Sequence, residues 1–166
     1  MRNNYEVRAK KFLEQIAPFL DGCKTVWDYI DAVTAYNQVY KRHVLVRSGA
    51  TRVALITSDY VIKINCGDSY KCKLFGNCAS ERRIYKEAEK DGFAYLFAKT
   101  TPVICNHKRY YIMPRVRNIG RCDGDVNEYL TDEENDWLDE HGIFDLHFQN
   151  YGWNNGYPII IDYAAC

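Results

Sequence analysis

The chain has 166 residues, 47% hydrophobic and 27% charged, which is enough for one domain with a real core. Its 22 Lys/Arg balance 22 Asp/Glu, it shows no secretory leader, and no apolar run approaches the roughly 18 residues of a membrane span, so a membrane partner is not expected. Seven cysteines, an odd number without a pairing pattern, argue against a disulfide scaffold and for a reducing cytoplasm.

Residues 4 to 20 predict an amphipathic helix, because Tyr5, Ala9, Phe12, Leu13, Ile16 and Leu20 recur at helical spacing. Asp21-Gly22 ends it. Thr25 with Asp28 forms a capping box that opens a second helix through Trp27, Ile30, Val33, Tyr36 and Tyr40. The character then changes. His43 to Val46, Arg52 to Ile56 and Tyr60 to Ile64 are short β-branched runs separated by turn residues, and they predict an antiparallel meander. A loop over residues 65 to 78 leads into a helix from Ala79 to about Gly92, with Asn77 or Ser80 near its start. Val103-Ile104-Cys105 and Tyr110 to Met113 predict a hairpin around Asn106-His107-Lys108, with Pro114 interrupting strand pairing. A Gly- and Asp-containing linker runs to Leu130. Thr131 with Glu134 then caps a short helix, followed by a polar loop and the strand Pro158 to Ile161.

The neutral total hides a division. From Asp123 to Cys166 there are eleven Asp/Glu and no Lys or Arg. The bland account is a solvated acidic helix from Asp132 to Glu140. The functional account is an acidic end that holds divalent metal while the basic part meets phosphates or an acidic partner. The basic residues do not form the dense, aromatic-interleaved run expected of nucleic-acid binding. Cys66, Cys72 and Cys78, with Cys105, His107 and Cys122 elsewhere, are spaced too loosely for a zinc site, and free thiols are expected.

The last quarter carries the most chemistry. Ile143-Phe144-Asp145-Leu146-His147-Phe148-Gln149-Asn150 is followed by an Asn-Gly turn and an apolar run that ends at Asp162. Polar residues at such positions point to a site more than to a core. An acid, an amide five residues on and an acid at a strand end suit phosphoryl transfer. One carboxylate orients a hydroxyl, while the amide and the second carboxylate hold Mg²⁺ against phosphates.

The D-x-H-x-x-N pattern of Asp145 to Asn150 resembles the catalytic loop of the protein-kinase-like fold. The run Phe144-Asp145-Leu146-His147, then Asn150, most resembles the early serine/threonine kinases of podovirus-type bacteriophages. The resemblance spans about residues 44 to 162. It implies an α+β chain: a minimal protein-kinase-like fold with an antiparallel small lobe over about 43–116, one key helix, a truncated large lobe over about 117–166, and two extra N-terminal helices in 1–42. The truncation is expected because the chain ends four residues after Asp162.

The resemblance also implies roles. Lys63, within the otherwise apolar Val61-Ile62-Lys63-Ile64, would contact ATP phosphates and pair with Glu81, eighteen residues on. Asp145 would be the base or orienting group, and Asn150 and Asp162 the Mg²⁺ ligands. Ser48 and Gly49 lie where the family has its phosphate-covering loop, although one glycine is far from G-x-G-x-x-G and an ordinary turn serves equally well. Met113 and Arg115 flank Pro114 at the adenine-binding hinge. His147 is expected to fix the loop. Asp162-Tyr163-Ala164 replaces the usual Asp-Phe-Gly, and Ile143 stands where protein kinases commonly have His.

Three functions follow from this pattern. The first is an ATP·Mg²⁺-dependent kinase that modifies serine or threonine of host proteins in a bacterial cytoplasm. The second is a catalytically weak or inactive kinase-fold binding module that inhibits a host factor. The third is a small-molecule phosphotransferase of the aminoglycoside type, disfavoured because little chain remains to enclose a substrate.

Overall fold

The apolar periodicity of the N-terminal quarter builds two helices in the computed structural model, which describes residues 4–49, 51–66, 77–116 and 126–163. Helix α1 runs Asn4–Leu20 and α2 runs Val26–Tyr40. Thr25 caps α2 reciprocally: its Oγ1 accepts from the Asp28 amide at 3.3 Å, and the Asp28 carboxylate accepts from the Thr25 amide at 2.7 Å. Asn37 fastens the end of α2 to the first strand, donating to the Val44 carbonyl at 2.9 Å and accepting from the Val44 amide at 3.0 Å.

A five-stranded antiparallel sheet follows, from β1 (Leu45–Ser48), β2 (Arg52–Ile56), β3 (Tyr60–Asn65), β4 (Thr101–Cys105) and β5 (Lys108–Pro114), in the order β1-β2-β3-β5-β4. Val53 pairs with Ile64 and Leu55 with Ile62. These four are buried against Phe12, Leu13 and Ile16 of α1 and Tyr29, Val33 and Tyr36 of α2. Each such side chain contributes about 1.5–3 kcal/mol. Because strand side chains alternate, Arg52, Ala54 and Lys63 project from the opposite face, and Ala54 sits directly across from Lys63. The positions of the two cations are thus set by the apolar residues between them.

Pro114 does not break the pairing as expected. It closes β5 in register with Tyr60, and the next amide, of Arg115, donates to the Asp59 carbonyl at 3.0 Å. Proline lacks a donor but keeps its carbonyl, and at a strand end that suffices.

Helix α3 spans Cys78–Asp91. Asn77 caps it, with its Oδ1 accepting from the Ala79 amide at 2.7 Å and the Ser80 amide at 3.2 Å. Gly92 ends it in the left-handed conformation at φ 93°. Asn65 Oδ1 accepts from the Cys78 amide at 3.1 Å and joins β3 to the start of α3. A second core gathers Ile84, Tyr85 and Ala88 of α3 with Leu96, Phe97, Trp137, Leu138, Ile160 and Tyr163.

Helix α4, Asp132–Glu140, carries the expected Thr131–Glu134 capping box. It is not a uniformly solvated acidic face, however. Glu134 is only 3% exposed, and its carboxylate accepts from the hydroxyls of Tyr95 and Tyr157, each at 2.6 Å, and from the Thr131 amide at 2.6 Å. The stretch after Asn150 also differs from the expected loop and single strand. It forms a hairpin of β6 (Tyr151–Asn154) and β7 (Tyr157–Ile160), turning at Asn155 and Gly156 with positive φ at both. Most of the expected 65–78 loop and of the 115–130 linker lies outside the described residues, as do Cys72 and Cys122. The part of the linker that is described forms a 3₁₀ turn at Val126–Tyr129.

Among the described residues the fold is therefore mixed α+β, with four α-helices, the five-stranded sheet and a two-stranded hairpin. No helix in them is long and apolar enough to cross a membrane.

Candidate functional site

Lys63 leaves the middle of β3 on the face away from the N-terminal helices and meets Glu81 in the first turn of α3. The two form a buried ion pair at 2.6 Å, with Lys63 8% and Glu81 0% exposed. An ammonium has three donors. A second donor of Lys63 reaches the Ile161 carbonyl, also at 2.6 Å. That carbonyl belongs to the residue before Asp162.

The segment that carries Asp162 is fixed on several sides. The Ala98 amide donates to the Ile160 carbonyl at 2.9 Å. The amides of Ile161 and Asp162 donate to the Asn150 carbonyl at 2.7 and 3.2 Å. The Tyr163 ring is buried, and its hydroxyl donates to the Ala98 carbonyl at 2.8 Å beside Thr100 Oγ1 at 2.9 Å.

Asn150 joins this segment to the loop after α4. Its Nδ2 donates to the Asp145 carbonyl at 2.7 Å, and its own amide donates to the His147 carbonyl at 2.8 Å. The Asp145 carboxylate is 81% exposed, with His147 Nε2 3.5 Å away. His147 Nδ1 accepts from the Gln149 amide at 3.2 Å, so this side chain braces the loop. Residues far apart in sequence thus meet: Lys63 with Glu81 and the Asp162 segment, and Asn150 with both Asp145 and that segment.

Arg52 also belongs to the site, although no sequence motif singles it out. From the start of β2 its guanidinium donates to Glu81 Oε1 at 2.7 Å and to Asp162 Oδ1 at 2.6 Å. The signal for it was the alternation of Arg52-Val53-Ala54-Leu55. If Val53 and Leu55 face the core, Arg52 shares a face with the residues opposite Ala54, and one of those is Lys63.

Two cations and two carboxylates therefore share one partly buried cluster. Burial works against the charged form of Asp162, but Lys63 and Arg52 outweigh it and hold the carboxyl below its ordinary value. Burial pushes the Glu81 carboxyl upward, with Lys63 and Arg52 opposing. Burial also pushes the nearby Cys78 thiol up to about 12, so it is no nucleophile at neutral pH.

The remaining expected residues lie differently. Ser48 ends β1 opposite Val53, and the Gly49 amide donates to the Arg52 carbonyl at 2.9 Å. A Cβ added at Gly49 would meet nothing within 4 Å. These are the features of an ordinary hairpin turn. Met113 is buried in β5 opposite Val61. The Arg115 amide is spent on Asp59, and its guanidinium donates to the Thr57 carbonyl at 2.8 Å. Arg115 therefore has no free backbone donor for adenine. Cys23, Cys66, Cys78 and Cys105 are free thiols.

Among the described residues no group of three or more His, Cys, Asp or Glu is arranged to hold a metal ion. The Asp162 carboxylate and the Asn150 amide are hard oxygen donors of the kind Mg²⁺ takes when substrate phosphates complete its shell. They fit that use better than an all-protein cage. No family model matches the chain, and neither a curated protein nor a solved structure matches it.

Proposed function

We propose that the chain is an ATP·Mg²⁺-dependent phosphotransferase of protein-kinase-like fold, a minimal phage-type serine/threonine kinase that acts on host proteins. One observation carries this reading. Lys63 on the third strand is paired with Glu81 on the next helix while it also holds the backbone beside Asp162. Protein kinases position phosphates with a strand lysine paired to a helix glutamate and with a downstream aspartate on Mg²⁺.

In this reading Lys63 offers its third N–H to a phosphate oxygen, and Glu81 keeps the ammonium in place. Asn150 and Asp162 would hold Mg²⁺, which when bound supplies charge neutralisation on the phosphates. Asp145 orients the acceptor hydroxyl, and its exposed carboxylate is open to a docked protein. A second reading, a kinase-fold binding module with weak or absent catalysis, is favoured by the occupation of Asp162 Oδ1 by Arg52.

Incubation with radiolabelled ATP·Mg²⁺ and bacterial lysate, beside Asp145→Ala, separates the two. Label transferred by the unsubstituted protein and lost in the variant supports the kinase. Equal labelling with both proteins removes it. A thermal shift with ATP·Mg²⁺ but no transferred label supports the binding module.

A further inference from the structure

We infer that Arg52 is a second phosphate-directed cation of this site and that it competes with divalent metal for Asp162. The inference rests on the nucleotide reading above and adds to it a residue and a metal dependence. A phosphate-covering loop works by presenting free backbone N–H groups. The Gly49 amide is already bonded to the Arg52 carbonyl, so the β1–β2 turn has spent that donor on its own hairpin. The strand leaving the turn instead sends a guanidinium into the cleft.

That guanidinium lies beside Lys63, because Arg52 is two residues from Ala54 on one strand face and Ala54 is opposite Lys63. Both cations share Glu81 Oε1, at 2.7 Å from Arg52 Nη1 and 2.6 Å from Lys63 Nζ. Glu81 therefore anchors Arg52 whether or not Asp162 does. Arginine carries five N–H donors in a planar fork suited to phosphate oxygens, and the two ion pairs leave donors to spare. Its Nη2 contact takes Asp162 Oδ1, one of the oxygens on which the proposed metal depends. Without metal, Arg52 and Lys63 together face the phosphates. With metal on Asp162, Arg52 would give up that contact and the ion would neutralise most of the phosphate charge, so Arg52 would matter less.

The test is binding of ATP and ADP by titration calorimetry, in EDTA and in excess Mg²⁺, with adenosine as the uncharged control. The unsubstituted protein is expected to bind both nucleotides, but not adenosine, in EDTA. Arg52→Gln is expected to weaken metal-free binding about tenfold or more, the worth of one charge-assisted contact. Its Mg²⁺-nucleotide binding should change far less, since Asp162 is released to the ion. The ratio of the two dissociation constants therefore rises. Arg52→Lys, checked with Arg52→Gln by circular dichroism, covers the case in which the glutamine variant does not fold, and a smaller rise is expected from it. An unchanged ratio in a folded variant overturns the role of Arg52 and leaves nucleotide binding standing. No nucleotide binding by the unsubstituted protein, with or without Mg²⁺, overturns both.

Discussion

The Lys63 ammonium donates to the Ile161 carbonyl at 2.6 Å across a sequence separation of 98 residues. The same ammonium neutralises Glu81, so one side chain ties the sheet, α3 and the Asp162 segment together without any ligand. Removing one member of a buried pair strands the other. Lys63→Met is therefore expected to lower unfolding free energy by about 3 kcal/mol, with Arg52 left as the sole cation on Glu81. Urea denaturation reads this directly. A loss under about 1 kcal/mol would show that the pair is not coupled to folding. The double variant Lys63→Met/Glu81→Gln should lose less than the sum of the two single changes, because the stranded charge is gone.

Asn150 yields a sharper contrast. Its amide Nδ2 donates to the Asp145 carbonyl at 2.7 Å, and the residue is 9% exposed. Asn150→Ala loses that bond and should cost about 1–3 kcal/mol. Asn150→Asp keeps the shape but sets a carboxylate oxygen against a carbonyl oxygen with no proton between them. It should be less stable than the alanine variant at neutral pH and recover as the medium is acidified. Aspartate tolerated better than alanine at pH 7 would show that donation to the Asp145 carbonyl does not hold this loop.

Local signals in the chain were legible where the interaction is short in sequence. The Thr25–Asp28 and Thr131–Glu134 boxes and the turn at Asn106-His107 each lie within one turn or hairpin, and the apolar stripe of α1 lies within one helix, so local residue pattern alone points to them. That Lys63 needs a partner was also readable, because a lysine inside an apolar strand demands one, but the choice of Glu81 over Glu87 and Glu89 rests on the spacing that the kinase resemblance implies. For Arg52 the alternation around Val53 and Leu55 indicates its face of the strand but not its contacts, which depend on strand register and on Asp162, a residue brought in by the far end of the chain. Glu134 looked like one acid among many on a solvated helix. What makes it different is Tyr95 and Tyr157, which approach from elements 39 and 23 residues away. The β6 strand was hidden because Tyr151-Gly152-Trp153-Asn154 has a glycine and a polar end, and its strand character comes only from pairing with β7.

Asp145 and Asp162 should separate stability from chemistry. The Asp145 side chain is 81% exposed, so Asp145→Ala is expected to shift stability by no more than about 0.5 kcal/mol. Under the kinase reading it abolishes transferred label while leaving nucleotide binding intact. Asp162→Asn should instead reduce turnover on the order of 10²-fold or more, the loss expected when metal-assisted charge neutralisation is weakened. Initial rates with radiolabelled ATP at saturating Mg²⁺ check both. Undiminished turnover with Asp162→Asn contradicts its role.

Glu134 sets a pH dependence that is independent of any ligand. Burial works against its charge, but the Tyr157 and Tyr95 hydroxyls and the Thr131 amide outweigh burial and hold its carboxyl below the ordinary value of 4.5. A depressed acid in the folded state contributes stability above its ordinary value and loses it as pH falls through the folded one. The Tyr95 hydroxyl moves oppositely: burial and then the Glu134 carboxylate raise it from 10.0 to about 12. Its contribution is complete below pH 10 and is lost as pH rises toward that higher value. The cluster is therefore at full strength between these limits and fails at both ends. Glu134→Gln should cost about 1–3 kcal/mol at neutral pH through loss of charge-assisted hydrogen bonds. It should also flatten the acid limb of a plot of midpoint temperature against pH, below the ordinary value of 4.5. An acid limb as steep in the variant as in the unsubstituted protein would place the acid sensitivity elsewhere, with Asp162 as the next group to substitute, since its carboxyl is also held low.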